Sequence, residues 1–270
     1  MIEYKSKADL LAMRRAGLVV AEGLKEMTAA VAAGVTTAEI DQIGRDVIAK
    51  HGAASNFLNY GADYGVPFPA VACISVNEEL VHGIPSDRKL VDGDVVSIDY
   101  GAIIDGWHGD AARTVIVGEG DPADHAMSEA ARDALWAGTR KMKAGGKVSD
   151  VSKAIERQIK KHGRYGILRE FTGHGIGTSM HQRPDVPNFH SFGRQIPLQV
   201  GMVLAIEPMI TRGTHRTVDL DDEWTVVSQD GSRGVHWENT VAITENGIWV
   251  LTEFDGGEAM LGDLFGPLAD

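Results

Sequence analysis

Repetition within the chain limits the folds open to it more than any other property of its 270 residues. Residues 33–52, AGVTTAEIDQIGRDVIAKHG, overlay residues 144–163, AGGKVSDVSKAIERQIKKHG. Ala-Gly opens both segments, Lys-His-Gly closes both, and the apolar pairs Ile40/Val151 and Ile48/Ile159 fall at matching places. Two helices of similar make-up could agree this far by coincidence, but three further matches follow in the same order. His82-Gly83-Ile84 returns as His174-Gly175-Ile176. Gly93-Asp94-Val95 through Ile98-Asp99 returns as Gly201-Met202-Val203 through Ile206-Glu207, and His108-Gly109-Asp110 returns more faintly as His236-Trp237-Glu238. A duplicated helix-helix-strand unit accounts for the whole series. It predicts an α/β (α+β) fold whose two halves, approximately 1–120 and 121–255, face each other about a pseudo-twofold axis across a cleft. Residues 256–270 form a tail of small, acidic and apolar residues outside the repeat.

The stretch Val95–Asp110, VVSIDYGAIIDGWHGD, specifies a hairpin. Asp105-Gly106 between apolar and β-branched runs suits a type I′ turn, which needs positive φ at both central residues. With that turn Ile104 faces Trp107, and counting outward sets Asp99 opposite Ala112. Asp110 then shares a face with Asp99 as a diagonal pair, with Cβ atoms roughly 7–8 Å apart. Two acids converging on one point repel unless something positive lies between them, and a metal ion meets that need.

Elsewhere the apolar spacing predicts helices. Leu10, Leu11, Ala16, Val19, Val20 and Leu24 give one from Lys7 to about Val31, before Gly34. Thr36 and Glu39 form a capping box ahead of a second, which ends near Gly52. Residues 53–70, with Phe57, Tyr60, Tyr64 and Phe68, read as a loop feeding a strand at Val71–Val76. A third helix spans about Ala123–Met142, and a fourth, capped by Ser149, runs to Gly163.

Composition narrows the classes. At 43% hydrophobic residues the chain can bury a full core. The formal charge of −12 argues against a direct nucleic-acid function. Cys73 is the single cysteine, so no intramolecular disulfide forms and nothing indicates an oxidising compartment. The polar start MIEYKSKADL lacks the apolar core of a signal peptide, and no apolar run is long enough to span a membrane, so a cytoplasmic location is expected.

If the halves pair, Asp99, Asp110, Glu207 and Glu238 converge with an imidazole from the His174 segment. Glu207 lies in VLAIEPMI and Asp99 follows Ile98 in a β-rich run, places where a carboxylate is costly to bury unless paired or metal-bound. Four carboxylates and one nitrogen suit two divalent cations of the Mn, Fe, Co or Zn type. Such a pair can activate water and polarise a carbonyl, the two-metal hydrolase arrangement. His51, His125, His162 and His190 have no such context and are expected at surface or structural positions.

Taken together, HGIP (82–85), IDYGAIIDGWHGD (98–110), GHGIG (173–177), IEPM (206–209) and the segment from Trp224 to Glu238 resemble the type I methionine aminopeptidases over approximately residues 5–250. The resemblance implies the pita-bread fold, a curved antiparallel sheet flanked by pseudo-symmetric helices, as a single catalytic domain over residues 1–270. It implies that Asp99, Asp110, His174, Glu207 and Glu238 hold two divalent ions, with Asp110 and Glu238 bridging and Glu207 also serving as general base. His82 and His181 match the family's two non-ligand histidines, which contact substrate and stabilise the tetrahedral intermediate. Tyr60, Phe68, Cys73, Met180 and Trp224 match its methionine pocket, where ordinary core packing is the competing reading. The implied activity is removal of the N-terminal methionine from nascent proteins and peptides with a small second residue. The implied setting is a monomer that meets the ribosome transiently.

Two positions depart from the pattern. Asn239 stands where many relatives have His, which bears on hydrogen bonding around Glu238, and Met180 stands where an aromatic residue is common. Only 25 residues separate His181 from Glu207, too few for the insertion of the type II relatives. Two other readings fit the same motifs. An Xaa-Pro-type pita-bread aminopeptidase usually carries a substantial extra N-terminal domain, whereas residues 1–81 alone precede the first motif here. A non-catalytic pita-bread binding scaffold would normally lack metal ligands, and all five are present.

Overall fold

The structure is a computed structural model that describes residues 2–63, 65–191 and 195–268; Tyr64 and the last two residues of the tail lie outside it. Helix α1 (Lys7–Ala30) begins at a capping box in which the Ser6 and Asp9 side chains satisfy each other's backbone N–H groups. The expected Thr36/Glu39 box opens α2 (Thr37–His51), which stops where Gly52 turns left-handed at φ 60. Pro122 occupies the first turn of α3 (Pro122–Thr139), and α4 (Val148–His162) follows. Ser149 is not the cap of α4. The cap is Lys147, whose backbone N–H is taken by Asp150, while Ser149 lies inside the first turn and donates to Gln195. Leu11 also departs from the expected stripe and is exposed.

Each half has its own core. α1 and α2 cover strands Ala72–Val76, Val95–Ile104 and Trp107–Ile116, burying Val20, Met27, Ile40, Ile74, Ile98 and Tyr100. α3 and α4 cover Val203–Ile206, Asn239–Ile243 and Ile248–Val250, burying Met127, Leu135, Ile155, Leu204 and Val241. Each fully buried aliphatic side chain contributes about 1.5–3 kcal/mol, far more than helix propensity supplies per residue.

Among the described residues the curved antiparallel sheet is divided among four ladders. In the first half Val95–Ile104 is the spine, flanked by Ala72–Val76 and Trp107–Ile116. In the second half Val203–Ile206 lies between Asn239–Ile243 and Gly173–Gly175. Two three-stranded ladders border the cleft, and one of them pairs Glu79–Val81 with Val226–Ser228 across the halves. The hairpin register is as expected: Ile104 pairs with Trp107, Asp99 with Ala112, and Asp105 and Gly106 take φ 50 and 80.

The register changes one equivalence in the repeat. Asp99 lies across from Cys73, and two residues earlier Ser97 lies across from Ser75. His174 pairs with Ala205, two residues before Glu207, so it occupies the place of Ser75 rather than that of His82. His82 instead follows the Glu79–Val81 strand in a left-handed conformation, φ 58. The shared His-Gly-Ile is a likeness of sequence at two different structural positions.

Helix α1 lies unusually close to the hairpin. A Cβ at Gly17 would overlap the carbonyl oxygen of Leu251, and one at Gly109 would come within 2.9 Å of the Gly17 nitrogen. Helix propensity alone favours Gly17→Ala by about 1 kcal/mol. The close approach reverses the sign, and this substitution should destabilise the protein by about 1–3 kcal/mol in chemical denaturation. A variant as stable as the parent would contradict the packing.

Candidate metal centre and substrate cavity

The two halves meet where Trp107–Ile116 crosses the chain leading into Asn239–Ile243. The Glu238 N–H donates to the Ala112 carbonyl at 3.0 Å, the Asp110 N–H donates to Thr240 Oγ1 at 3.0 Å, and Thr240 Oγ1 donates to the Asp110 carbonyl at 2.7 Å. This crossing places one acid from each half side by side. Asp99 joins them from the neighbouring strand, its charge acting on that of Asp110.

His174 and Glu207 complete the group, and the glycines beside His174 are a steric requirement. A Cβ at Gly173 would strike the Ala205 carbonyl and one at Gly175 the Arg183 carbonyl, so Gly-His-Gly is what lets three strands close around one imidazole. His174 Nδ1 lies 2.9 Å from the Gly175 carbonyl. That contact requires the proton on Nδ1 and leaves the lone pair of Nε2, 3.5 Å from Glu207 Oε1, free to bind a cation.

The electrostatics are unfavourable without a cation. Burial pushes the Asp99 carboxyl up to about 6, with His236 opposing and Glu207 adding to the rise. Burial, then the neighbouring Asp99 and Glu207 charges, raises Asp110 well above the carboxylate range, and burial raises Glu207 likewise. Glu238 is raised by burial and by the three other acids, against the pull of Arg113. Burial lowers the His174 imidazole to about 3, so it is a neutral donor. Asp99 Oδ1, Asp110 Oδ1, His236 Nε2 and Glu238 Oε1 are buried with no hydrogen-bond partner. Native interiors rarely leave such groups unpaired. A positive group among them would offset this arrangement, and the carboxylate and imidazole donors fit the divalent metal that the sequence implies. Five of the donors form two overlapping groups, Asp110/His174/Glu238 and Glu207/His236/Glu238, and Asp99 stands outside both.

These groups floor a cavity of about 560 Å3 in which every site residue expected from the sequence has a place. The opposite wall is apolar. The Phe68 and Trp224 rings meet edge to face at 5.3 Å, with buried Cys73 and Met180 beside them. Between floor and wall stand the two histidines. His82 packs edge to face on Phe171 at 5.5 Å, and burial lowers its pKa to about 4, helped by His236 and His181. Its positive φ at a non-glycine residue is the kind of backbone strain that collects at functional sites. His181 lies 4.5 Å from His174, ring centre to ring centre, and its Nδ1 is 3.0 Å from the Tyr60 hydroxyl. Asn239 stays out of the cavity. It is fully buried behind Glu238, where its Oδ1 accepts from Arg113 and from Thr252 Oγ1. Arg113 in turn holds the Glu238 carbonyl and Glu253.

The lining also includes residues that the sequence did not single out as site residues, among them Phe57, Phe171 and His236. Phe57 and Phe171 extend the apolar wall and had no motif to mark them. His236 had one, because two residues before Glu238 along an extended chain it shares that residue's face.

The profile of Metallopeptidase family M24 matches residues 11–245. Methionine aminopeptidase 1 of Mycobacterium tuberculosis is 47% identical over 258 residues, covering 93% of this chain and 95% of that protein. Methionine aminopeptidase of Aquifex aeolicus is 45% identical, covering 93% and 99%. Among solved structures, methionine aminopeptidase from Thermotoga maritima superposes with a TM-score of 0.89 at 37% identity, over 94% of this chain and all of that one. A prolidase from Pyrococcus furiosus shares the fold at a TM-score of 0.73 and 24% identity, over 93% of this chain and 65% of that one.

Proposed function

We propose, from the premise that this chain belongs to metallopeptidase family M24 and has the pita-bread fold, that Asp99, Asp110, His174, Glu207 and Glu238 hold two divalent ions of the Co, Mn, Fe or Zn type. The protein is a hydrolase, a methionine aminopeptidase that uses divalent metal and removes the N-terminal methionine from nascent polypeptides. The observation that supports the site assignment is the pairing, in one cavity, of a carboxylate floor with an aromatic and sulfur-containing wall.

The ions, when bound, supply the Lewis acidity that polarises the scissile carbonyl and makes water a nucleophile at neutral pH. The chain supplies the rest. Cys73, Phe68, Met180, Tyr60 and Trp224 enclose the methionine side chain, whose flexible thioether gains favourable contact with aromatic edges. Glu207 takes the proton of the attacking water and returns it to the departing amine. The Tyr60 hydroxyl donates to His181 Nδ1, which leaves the Nε2 proton of His181 to donate to the developing oxyanion; His82 positions the substrate peptide. Discrimination at the second residue is steric and admits small side chains. Residues 1–270 act as one catalytic unit, monomeric and cytoplasmic, that meets the ribosome only transiently, and among the described residues no helix is long and apolar enough to cross a membrane.

Peptides separate this reading from an Xaa-Pro specificity. The metal-loaded protein should release methionine from Met-Ala and Met-Gly peptides, and far more slowly from Met-Leu peptides. Rapid Xaa-Pro cleavage without methionine release would overturn the assignment.

A further inference from the structure

We infer that His236 is a sixth donor to the metal centre, a second imidazole beside Glu207 and Glu238. This rests on the dinuclear reading above. His236 is 2% exposed, and its Nε2 is buried without a hydrogen-bond partner. A buried imidazole nitrogen left unpaired is unfavourable unless something electrophilic occupies the space in front of it. That nitrogen faces Glu207 Oε2 at 3.6 Å and Glu238 Oε2 at 3.9 Å. Both separations are too long for a hydrogen bond. They are close to the spacing of two donors on one ion, because atoms each about 2.1 Å from a shared metal stand roughly 3–3.5 Å apart.

Glu207 therefore lies between two imidazoles, with Oε1 toward His174 and Oε2 toward His236. The donors sort into Asp110/His174/Glu238 and Glu207/His236/Glu238, which share Glu238. The five residues implied by the motifs give one nitrogen to the whole centre; with His236 it has two. The His236 peptide is also clamped by the first-half hairpin. Its N–H reaches Ser97 Oγ at 3.2 Å and Thr114 Oγ1 at 3.0 Å, and its carbonyl accepts from Thr114 Oγ1 at 2.8 Å. The ring is thereby held at the floor of the cavity from both halves. A second nitrogen favours Zn, Co or Fe over Mg at the ion that it binds.

Cobalt reconstitution tests this apart from turnover. In the Co(II)-loaded protein each imidazole bound through Nε2 contributes one solvent-exchangeable, paramagnetically shifted N–H resonance. Two such resonances are expected in the parent protein, and one each in His236→Gln and His174→Gln. Titration calorimetry should show one of the two ions binding about tenfold more weakly or worse in His236→Gln, with His236→Ala as a second variant. A single shifted resonance in the parent, lost only in His174→Gln, would overturn the role of His236 while leaving the metal centre intact. A parent protein that takes up no cobalt would overturn the dinuclear reading itself.

Discussion

Exchange of Glu207 for glutamine should lower kcat for methionine release by about 10²–10⁴-fold, the range typical of a lost general base. Glutamine keeps the length and the hydrogen-bonding shape of the side chain but cannot take a proton from water. The Asn188 amide, which donates to the Glu207 carbonyl at 2.9 Å, holds the backbone and not the carboxyl, so the local chain path should survive. KM for a Met-Ala peptide should move little, because Phe68, Cys73, Met180 and Trp224 grip the side chain from the opposite wall. Steady-state kinetics at saturating metal, with metal content measured on the same sample, separates proton transfer from ion loss. Near-normal turnover in fully loaded Glu207→Gln would remove this residue from the chemistry.

Chelation should have the other large effect, abolishing turnover and lowering the melting temperature. An ion present at about a thousand times its dissociation constant stabilises the folded state by about 4 kcal/mol, worth roughly 10 °C in a chain of this size. The size of the drop should depend on pH, and its sign follows from the acids. Without metal, Asp99 in the folded chain binds a proton up to about pH 6, and burial likewise makes Asp110, Glu207 and Glu238 hold theirs above the ordinary carboxylate range. Ions must displace these protons, so stabilisation by metal is greatest at high pH and declines as pH falls through the folded values. His174, lowered to about 3, offers protons no competing site until far more acidic conditions.

The metal-free chain alone is a poorer indicator. A raised carboxyl such as Asp99 contributes stability that is present below its unfolded value and lost as pH rises through about 6. His82 and His108, each lowered to about 4 with burial as the chief cause, contribute stability that is present above their unfolded value and lost as pH falls. The two trends oppose each other between these limits. The informative quantity is therefore the difference in melting temperature with and without chelator, which should be larger at about pH 8 than at about pH 5.5. An equal difference at the two pH values would mean that the ions do not bind at these carboxylates.

Local chemistry made much of this legible in the sequence. Asp105-Gly106 can close only a tight turn, so the pairing of Asp99 with Ala112 followed by counting. Thr36/Glu39 and Gly52 marked both ends of α2 because capping is a property of three or four residues. The start of α4 was misjudged because the local signal was ambiguous: Ser149 is a good cap by residue type, but Asp150 takes the backbone N–H one turn earlier, at Lys147. The approach of His236 to Glu207 depends on which strands border Glu207, and that is decided by pairing between distant segments. The division of the sheet into four ladders was hidden for the same reason. The His-Gly-Ile likeness misled because composition repeats without register.

The crossing of the two halves at Ala112 and Glu238 also orders events in time. No stretch shorter than residues 99–238 contains all of the carboxylates, so a growing chain has only part of the centre until Glu238 has been made. Closing so long a loop adds little entropy beyond that of a shorter one, since each doubling of length costs only about 0.6 kcal/mol. The delay is kinetic, because contacts this distant in sequence form late. A chain that stops short of Glu238 therefore holds at most three of the four carboxylates of the candidate centre.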